Sequence, residues 1–224
     1  MKIKKLKIVF LFSIVGLFSF AQETTLPQEK QETIKHEYDK DNIRFFGVSL
    51  SYYDIDFGHV NSFLENSGMP TVQDGLRSML TLYYRSNFIF KKLYFDGSLA
   101  GRVSGTIRND NYALKQQIIL FDVGLNYLVL DKTDHNLSLG AFSGTLVYRA
   151  DIDNVLPNQQ SDRLQKNSEY LGIRASYILY EWIHITAGYR FDIDSKRVKV
   201  NGHKISNSPE LSSDGLFFGV GIGF

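Results

Sequence analysis

The stretch Leu216-Phe217-Phe218-Gly219-Val220-Gly221-Ile222-Gly223-Phe224 governs how the rest of the chain is read. Leu216, Phe218, Val220, Ile222 and Phe224 take every second position, and Phe217 with three glycines takes the alternate ones. A period of two is that of a β-strand, whose successive side chains point to opposite faces. A face of large apolar groups with no charge among them suits lipid hydrocarbon. The glycine-rich face suits close packing toward an interior.

The same alternation recurs upstream. Arg44 to Ile55 sets Phe46, Val48, Leu50 and Tyr52 against Gly47, Ser49 and Ser51, and Leu76 to Ser86 sets Leu80, Leu82 and Tyr84 against Arg77, Thr81 and Arg85. Leu93 to Ser104 alternates Leu93, Phe95, Leu99 and Val103 with Tyr94, Asp96, Ser98, Ala100 and Arg102; Gly97 and Gly101 fall on its apolar face. Gln117 to Val129 sets Ile119, Phe121, Val123, Leu125 and Tyr127 against Asp122, Gly124 and Asn126. Leu137 to Arg149, Tyr170 to Leu179, Ile183 to Ile193 and Leu216 to Phe224 bring the set to eight segments. Each runs about ten residues, the length a tilted strand needs to cross a bilayer. The fold class expected is therefore all-β: a closed antiparallel transmembrane β-barrel of about eight strands over residues 44–224.

The start of the chain reads as an export signal. Lys2, Lys4, Lys5 and Lys7 precede an apolar run from Ile8 to Phe18, and Ser19 and Ala21 are small residues before Gln22. That run is too short to span a membrane, so residues 1–21 read as a signal peptide cleaved between Ala21 and Gln22. Cleavage removes four lysines and turns the formal charge from +1 to −3, which leaves no basic field for nucleic acid. Residues 22–43 are rich in Gln, Glu, Lys and Thr and read as a flexible periplasmic segment. The absence of cysteine excludes disulfides, thiolate metal sites and thiol nucleophiles.

Connections alternate in length. Those at Asn87 to Lys91, Leu130 to Asn136 and Tyr180 to Trp182 are short, whereas Asp56 to Gly75, Gly105 to Lys115, Ala150 to Glu169 and Asp194 to Gly215 are long and polar. A barrel with short periplasmic turns, long external loops and both termini in the periplasm requires this order, and a soluble sandwich does not. Aromatic residues are expected in girdles at headgroup level: Phe45, Phe46, Phe88, Phe90, Tyr94, Phe95, Tyr127, Trp182 and Phe224 at the inner ends, and Tyr52, Tyr53, Tyr148, Tyr170, Tyr189 and Phe191 at the outer.

The C-terminal stretch ends on an aromatic, as the assembly signal of outer-membrane barrels does, with Leu216, Phe218, Val220, Ile222 and Phe224 as its outward residues. With the leader and the loop asymmetry, the chain from Arg44 to Phe224 resembles the small OmpA-, OmpX- and OmpW-type barrels. The resemblance implies an outer-membrane location, outer-membrane lipid and the barrel assembly machinery as partners, and a monomer without cofactor. With no linker segment in the sequence, an appended globular domain of the OmpA kind is not expected.

The inward face collects Arg85, Asp96, Arg102, Asp122, Arg174, His184, Arg190 and, near the outer mouth, Asp192. An eight-stranded barrel is just wide enough for its own side chains, so these charges read as a paired plug, with conduction or catalysis the alternatives. The turn at Asn87 to Lys91 sets Arg85 opposite Tyr94 and diagonal to Asp96, as neighbours. In the first long loop, Asn61 to Gly68 reads as a short helix with Asn61 as N-cap, able to fold over the mouth through Phe63 and Leu64.

Asp54-Ile55-Asp56, Asp151-Ile152-Asp153 and Asp192-Ile193-Asp194 repeat where outward-running strands reach the surface. These six carboxylates are either hydrated strand ends or sites where each pair recruits a divalent cation and lipid phosphate. His36, His59, His135, His184 and His203 share no ligand spacing, so no metal cluster is expected. Three function classes follow. The leading one is a non-enzymatic barrel that stabilises the membrane or presents its loops to an external partner the sequence does not name. The second is OmpW-like transport of small hydrophobic molecules past Phe142, Leu146 and Tyr148. The third is a lipid-modifying enzyme, for which His203 and Ser206 are the nearest pair.

Overall fold

The computed structural model describes residues 45–72, 75–90, 92–132, 134–154, 161–193, 197–203 and 208–224. The expected leader, the segment at 22–43, His36, Asp194 and Ser206 lie outside the described residues. The strands are β1 (Phe45–Ile55), β2 (Gly75–Phe90), β3 (Leu93–Val103), β4 (Ile107–Arg108), β5 (Tyr112–Lys132), β6 (His135–Asn154), β7 (Asp162–Leu179), β8 (Ile183–Asp192), β9 (Lys199–Val200) and β10 (Gly215–Gly223). Among the described residues one helix, α1 (Gly58–Asn66), follows β1.

Eight long strands close on themselves. Each pairs antiparallel with its sequence neighbour, from β1 through β2, β3, β5, β6, β7 and β8 to β10, and β10 returns to β1 with Gly47 opposite Gly223 and Tyr53 opposite Phe217. Phe46 and Phe224 exchange backbone hydrogen bonds of 3.2 and 2.8 Å at that seam. Closure removes the free edges that lipid could not satisfy.

Burial follows the predicted parity. Leu216, Phe218, Val220, Ile222 and Phe224 face outward, whereas Phe217 is 6% exposed inside. Leu50, Leu80, Phe95, Phe121, Val123, Leu139, Ile173 and Ile185 continue the outward apolar belt around the barrel. Interior glycines make room for large neighbours: a Cβ at Gly172 would overlap the Phe142 ring, and one at Gly144 the Tyr170 ring. The aromatic girdle is smaller than expected. Phe45, Tyr53, Tyr94, Tyr148 and Tyr170 lie on the inward parity and are buried in the lumen, while Phe46, Phe90, Phe95, Trp182 and Phe224 are exposed.

β2 continues to Phe90, so most of the connection expected at Asn87 to Lys91 is strand, and at the other end of the barrel three strands run beyond their expected ends. β5, β6 and β7 are 21, 20 and 18 residues long, against 11 for β1 and 9 for β10. Residues 112–115, 150–154 and 162–169, expected as loop, are paired strand instead. In these rows the pattern inverts: Leu114, Ala150, Ile152 and Leu164 are buried on the inward side while Lys115, Arg149 and Arg163 point outward. Past the membrane boundary water, not lipid, meets the outer face, so the apolar side moves inside. The result is a wall standing above one side of the mouth, with β4 and β9 pairing to β5 and β7 at its flanks.

Candidate functional site

The lumen divides into two zones. Toward the chain termini it is polar and centred on Arg174, which reaches from β7 across the barrel. Its Nη1 donates to Asp122 Oδ1 of β5 at 2.8 Å, its Nη2 to Asp96 Oδ1 of β3, and its guanidinium lies 4.7 Å from the Phe142 ring centroid. Ser98 Oγ donates to the other Asp122 oxygen at 2.7 Å. One buried cation between two buried carboxylates satisfies the rule that interior charges survive only when paired and hydrogen-bonded.

Arg85 stands over the Tyr94 ring, 3.8 Å from its centroid, and Tyr94 donates its hydroxyl to Ser138 Oγ at 2.5 Å. The register places Arg85 directly opposite Asp96 and not opposite Tyr94, because irregularities between Arg85 and Phe90 displace the expected pairing. His184 packs its ring 4.2 Å from that of Tyr83 and 6.1 Å from that of Phe45. Between these groups lies a small cavity lined by Ser49, Thr81, Ser98, Ser176 and Thr186 among others.

Toward the other end the lumen is apolar. Ile118, Leu120, Leu146, Tyr148 and Leu164 pack with Phe57, Val60 and Leu64 of the α1 segment. The helix begins at Gly58, three residues before the expected start, with the Gly58 N–H donating to Asp56 Oδ1 at 2.9 Å. Asn61 is therefore not the N-cap. It lies inside the helix and clamps the returning chain, donating Nδ2 to the Val72 carbonyl at 2.7 Å and accepting the Val72 N–H at 2.8 Å. Arg77 lies over the Phe57 ring at 5.0 Å, and Arg190 over Tyr53 at 4.8 Å while donating to the Asp54 carbonyl at 2.9 Å. Arg102, nearer the mouth, donates to the Ser78 carbonyl at 3.2 Å.

The six rim carboxylates occupy different environments. Asp192 is buried inside, bridged at 3.0 Å to Lys166, whose Nζ also donates to the Leu211 carbonyl at 2.6 Å; Ser213 donates its N–H to Asp192 at 3.0 Å. This ties the last loop over the mouth. Asp151 accepts from Arg149 Nε at 3.1 Å and Arg163 Nε at 2.7 Å on the outward face of the wall. Partial burial raises the Asp151 carboxyl, but the hydrogen bonds from Arg163 and Arg149 outweigh it and hold it below the usual carboxylate range. Asp153 is exposed opposite Ala113. Among the described residues no three His, Asp or Glu side chains gather as a metal site. His135 bonds Tyr177 at 2.6 Å, and His203 makes a backbone turn with Val200.

Sequence reading missed Lys166 and Ser213 as organising residues and gave Asn61 a different role. Lys166 shares the inward parity of Tyr170 and Arg174, a signal that was present once β7 is extended.

No protein-family model matches the chain, and no curated protein matches it. Among solved structures it is similar to Ail, the attachment invasion locus protein of Yersinia pestis, at 15% identity with a TM-score of 0.49, over 81% of this chain and 96% of that one. It is also similar to a major outer membrane protein from Thermus thermophilus, at 10% identity with a TM-score of 0.49, over 82% of this chain and 100% of that one.

Proposed function

We propose that this chain is a non-enzymatic integral outer-membrane barrel that does not conduct and that acts through its external face, with termini in the periplasm and the β5–β6–β7 wall outside. The observation that carries this reading is the filled lumen. Arg174, Asp96 and Asp122 bridge one zone, and α1 with Leu146, Tyr148 and Leu164 closes the other. Phe142, Leu146 and Tyr148, the residues on which hydrophobic transport would depend, are in contact with this packed core and not with an open apolar pocket. What extends past the mouth is the wall of β5, β6 and β7, whose outward residues are polar.

Planar-bilayer recording of the refolded chain tests it. The expected record shows no steady conductance steps. Reproducible open-channel steps would overturn the reading in favour of a pore whose plug leaves the lumen.

A further inference from the structure

We propose that the outward face of the wall binds phosphate groups of the glycolipid in the outer leaflet, through Arg149 and Arg163. The proposal rests on the outer-membrane reading above and names a ligand for the face it leaves exposed. Ile119 and Val147, opposite each other on β5 and β6, form the last apolar outward pair of these strands. The next outward row holds Gln117, Arg149, Gln165 and Lys199, and the one after it Lys115, Asp151 and Arg163. At ~3.4 Å per residue and a strand tilt of ~40°, each row rises ~5 Å along the membrane normal. On β5 and β6 both rows therefore stand within ~10 Å of the last apolar outward residues, at the level of lipid headgroups, and on β7 the outward side is polar from Glu169 upward.

Four cations and one carboxylate occupy these rows. Asp151 is not available to a divalent cation, because it already bonds two guanidinium groups. Its effect is to hold them side by side on a rigid sheet. Each arginine uses Nε for Asp151, so the Nη donors of both, with the exposed Lys115 and Lys199, form a patch about three strand spacings, ~14 Å, across. Guanidinium forks on a fixed backbone match phosphate oxygens bidentately. Of the other acids on this face, Asp153 lies one row farther out, and Glu169 lies four positions along β7 from Gln165, ~14 Å away. The structure thus reverses the expected use of the Asp151 pair: the carboxylate organises cations, and the cations face the lipid.

The test uses the full refolded chain in neutral detergent with diphosphoryl lipid A, phosphatidylglycerol and inorganic phosphate as separate probes, read by native mass spectrometry. Wild type is expected to retain diphosphoryl lipid A about tenfold more tightly than the Arg149→Gln/Arg163→Gln pair, with the advantage shrinking as salt rises. Lys132→Gln, at the opposite end of β5, should bind as wild type does. Arg149→Lys/Arg163→Lys, which keeps the charge and loses the fork, should fall between. Equal retention by wild type and the glutamine pair overturns the proposal, as does equal retention of phosphatidylglycerol or inorganic phosphate. Membrane fractionation separates the two readings, since recovery outside the outer membrane sinks the location while leaving the binding result to stand.

Discussion

Near the chain termini the lumen is held by Arg174 between Asp96 and Asp122, whereas near α1 it is held by Leu64, Val60 and Phe57 against Leu146 and Tyr148. The first zone depends on a few groups in one geometry, each costly to bury alone. The second depends on summed apolar area, where every contact is small and replaceable by another of similar volume. The difference also follows chain connectivity. Arg174, Asp96 and Asp122 stand on the barrel wall itself, while α1 sits in a loop clamped by Asn61 to Val72. Damage to the polar zone is therefore damage to the barrel, and damage to the apolar zone can stay in the plug.

Removing the central cation is the most severe way to break the comparison. Arg174→Met leaves Asp96 and Asp122 buried without their shared partner and should destabilise the vesicle-refolded barrel by about 3–5 kcal/mol in urea. Changing all three, with Asp96→Asn and Asp122→Asn added, should lose much less. Additive losses would show that the three do not act as a unit. Leu64→Ala, at a fully buried position, should cost about 2–3 kcal/mol, felt in the plug. Protease cleavage between α1 and β2 should rise while the barrel band on gels keeps its heat-modifiability; loss of that band would make the plug part of the cooperative barrel.

The smallest effect concerns the outward face of the wall. The folded-state pKa of Asp151 is depressed, so its contribution is present above the unfolded value of about 3.9 and disappears as pH falls through the folded value. Its side chain is 35% exposed, and solvent screening keeps the contribution below about 0.5 kcal/mol. Melting followed from pH 6 to pH 2 should show Asp151→Asn losing the acid-dependent part of the wild-type decline; identical slopes would remove the assignment.

The barrel was legible wherever lipid meets its outer face. There an apolar residue at every second position has one physical cause, and the strand and its inward side are read together. Above the boundary the outward residues turn polar and the inward ones apolar, so the alternation persists with its sides exchanged; Leu114, Ile152 and Leu164 carried it, but within stretches whose overall polarity suggested loops. The tight turn at Asn201-Gly202, with φ of 49° and 85°, went unread within the Asp194 to Gly215 loop, although Asn-Gly is a local hairpin signal that needs no tertiary context. The placement of the lumenal charges was also legible, since parity alone puts Arg85, Asp96, Asp122 and Arg174 inside. Their partners were not, because Arg174 and Asp96 stand on strands separated by β5 and β6 and meet only across the closed lumen. Asn61 shows the same limit at short range: its residue type suits a cap, and only the return of the chain at Val72 gives it a different task.

Seven of the eight pairings around the barrel join neighbouring strands of the chain, and one, between β1 and β10, joins its two ends. Hairpins can form as soon as their residues meet, but the seam requires a loop closure spanning nearly the whole described chain, so it carries the slow, high contact-order step. A chain still being synthesised, or one cut short before Phe218, has no partner to offer Tyr52. The barrel is thus made in an all-or-none event that waits for the last residues, and until then its two open edges must be guarded against pairing with other chains.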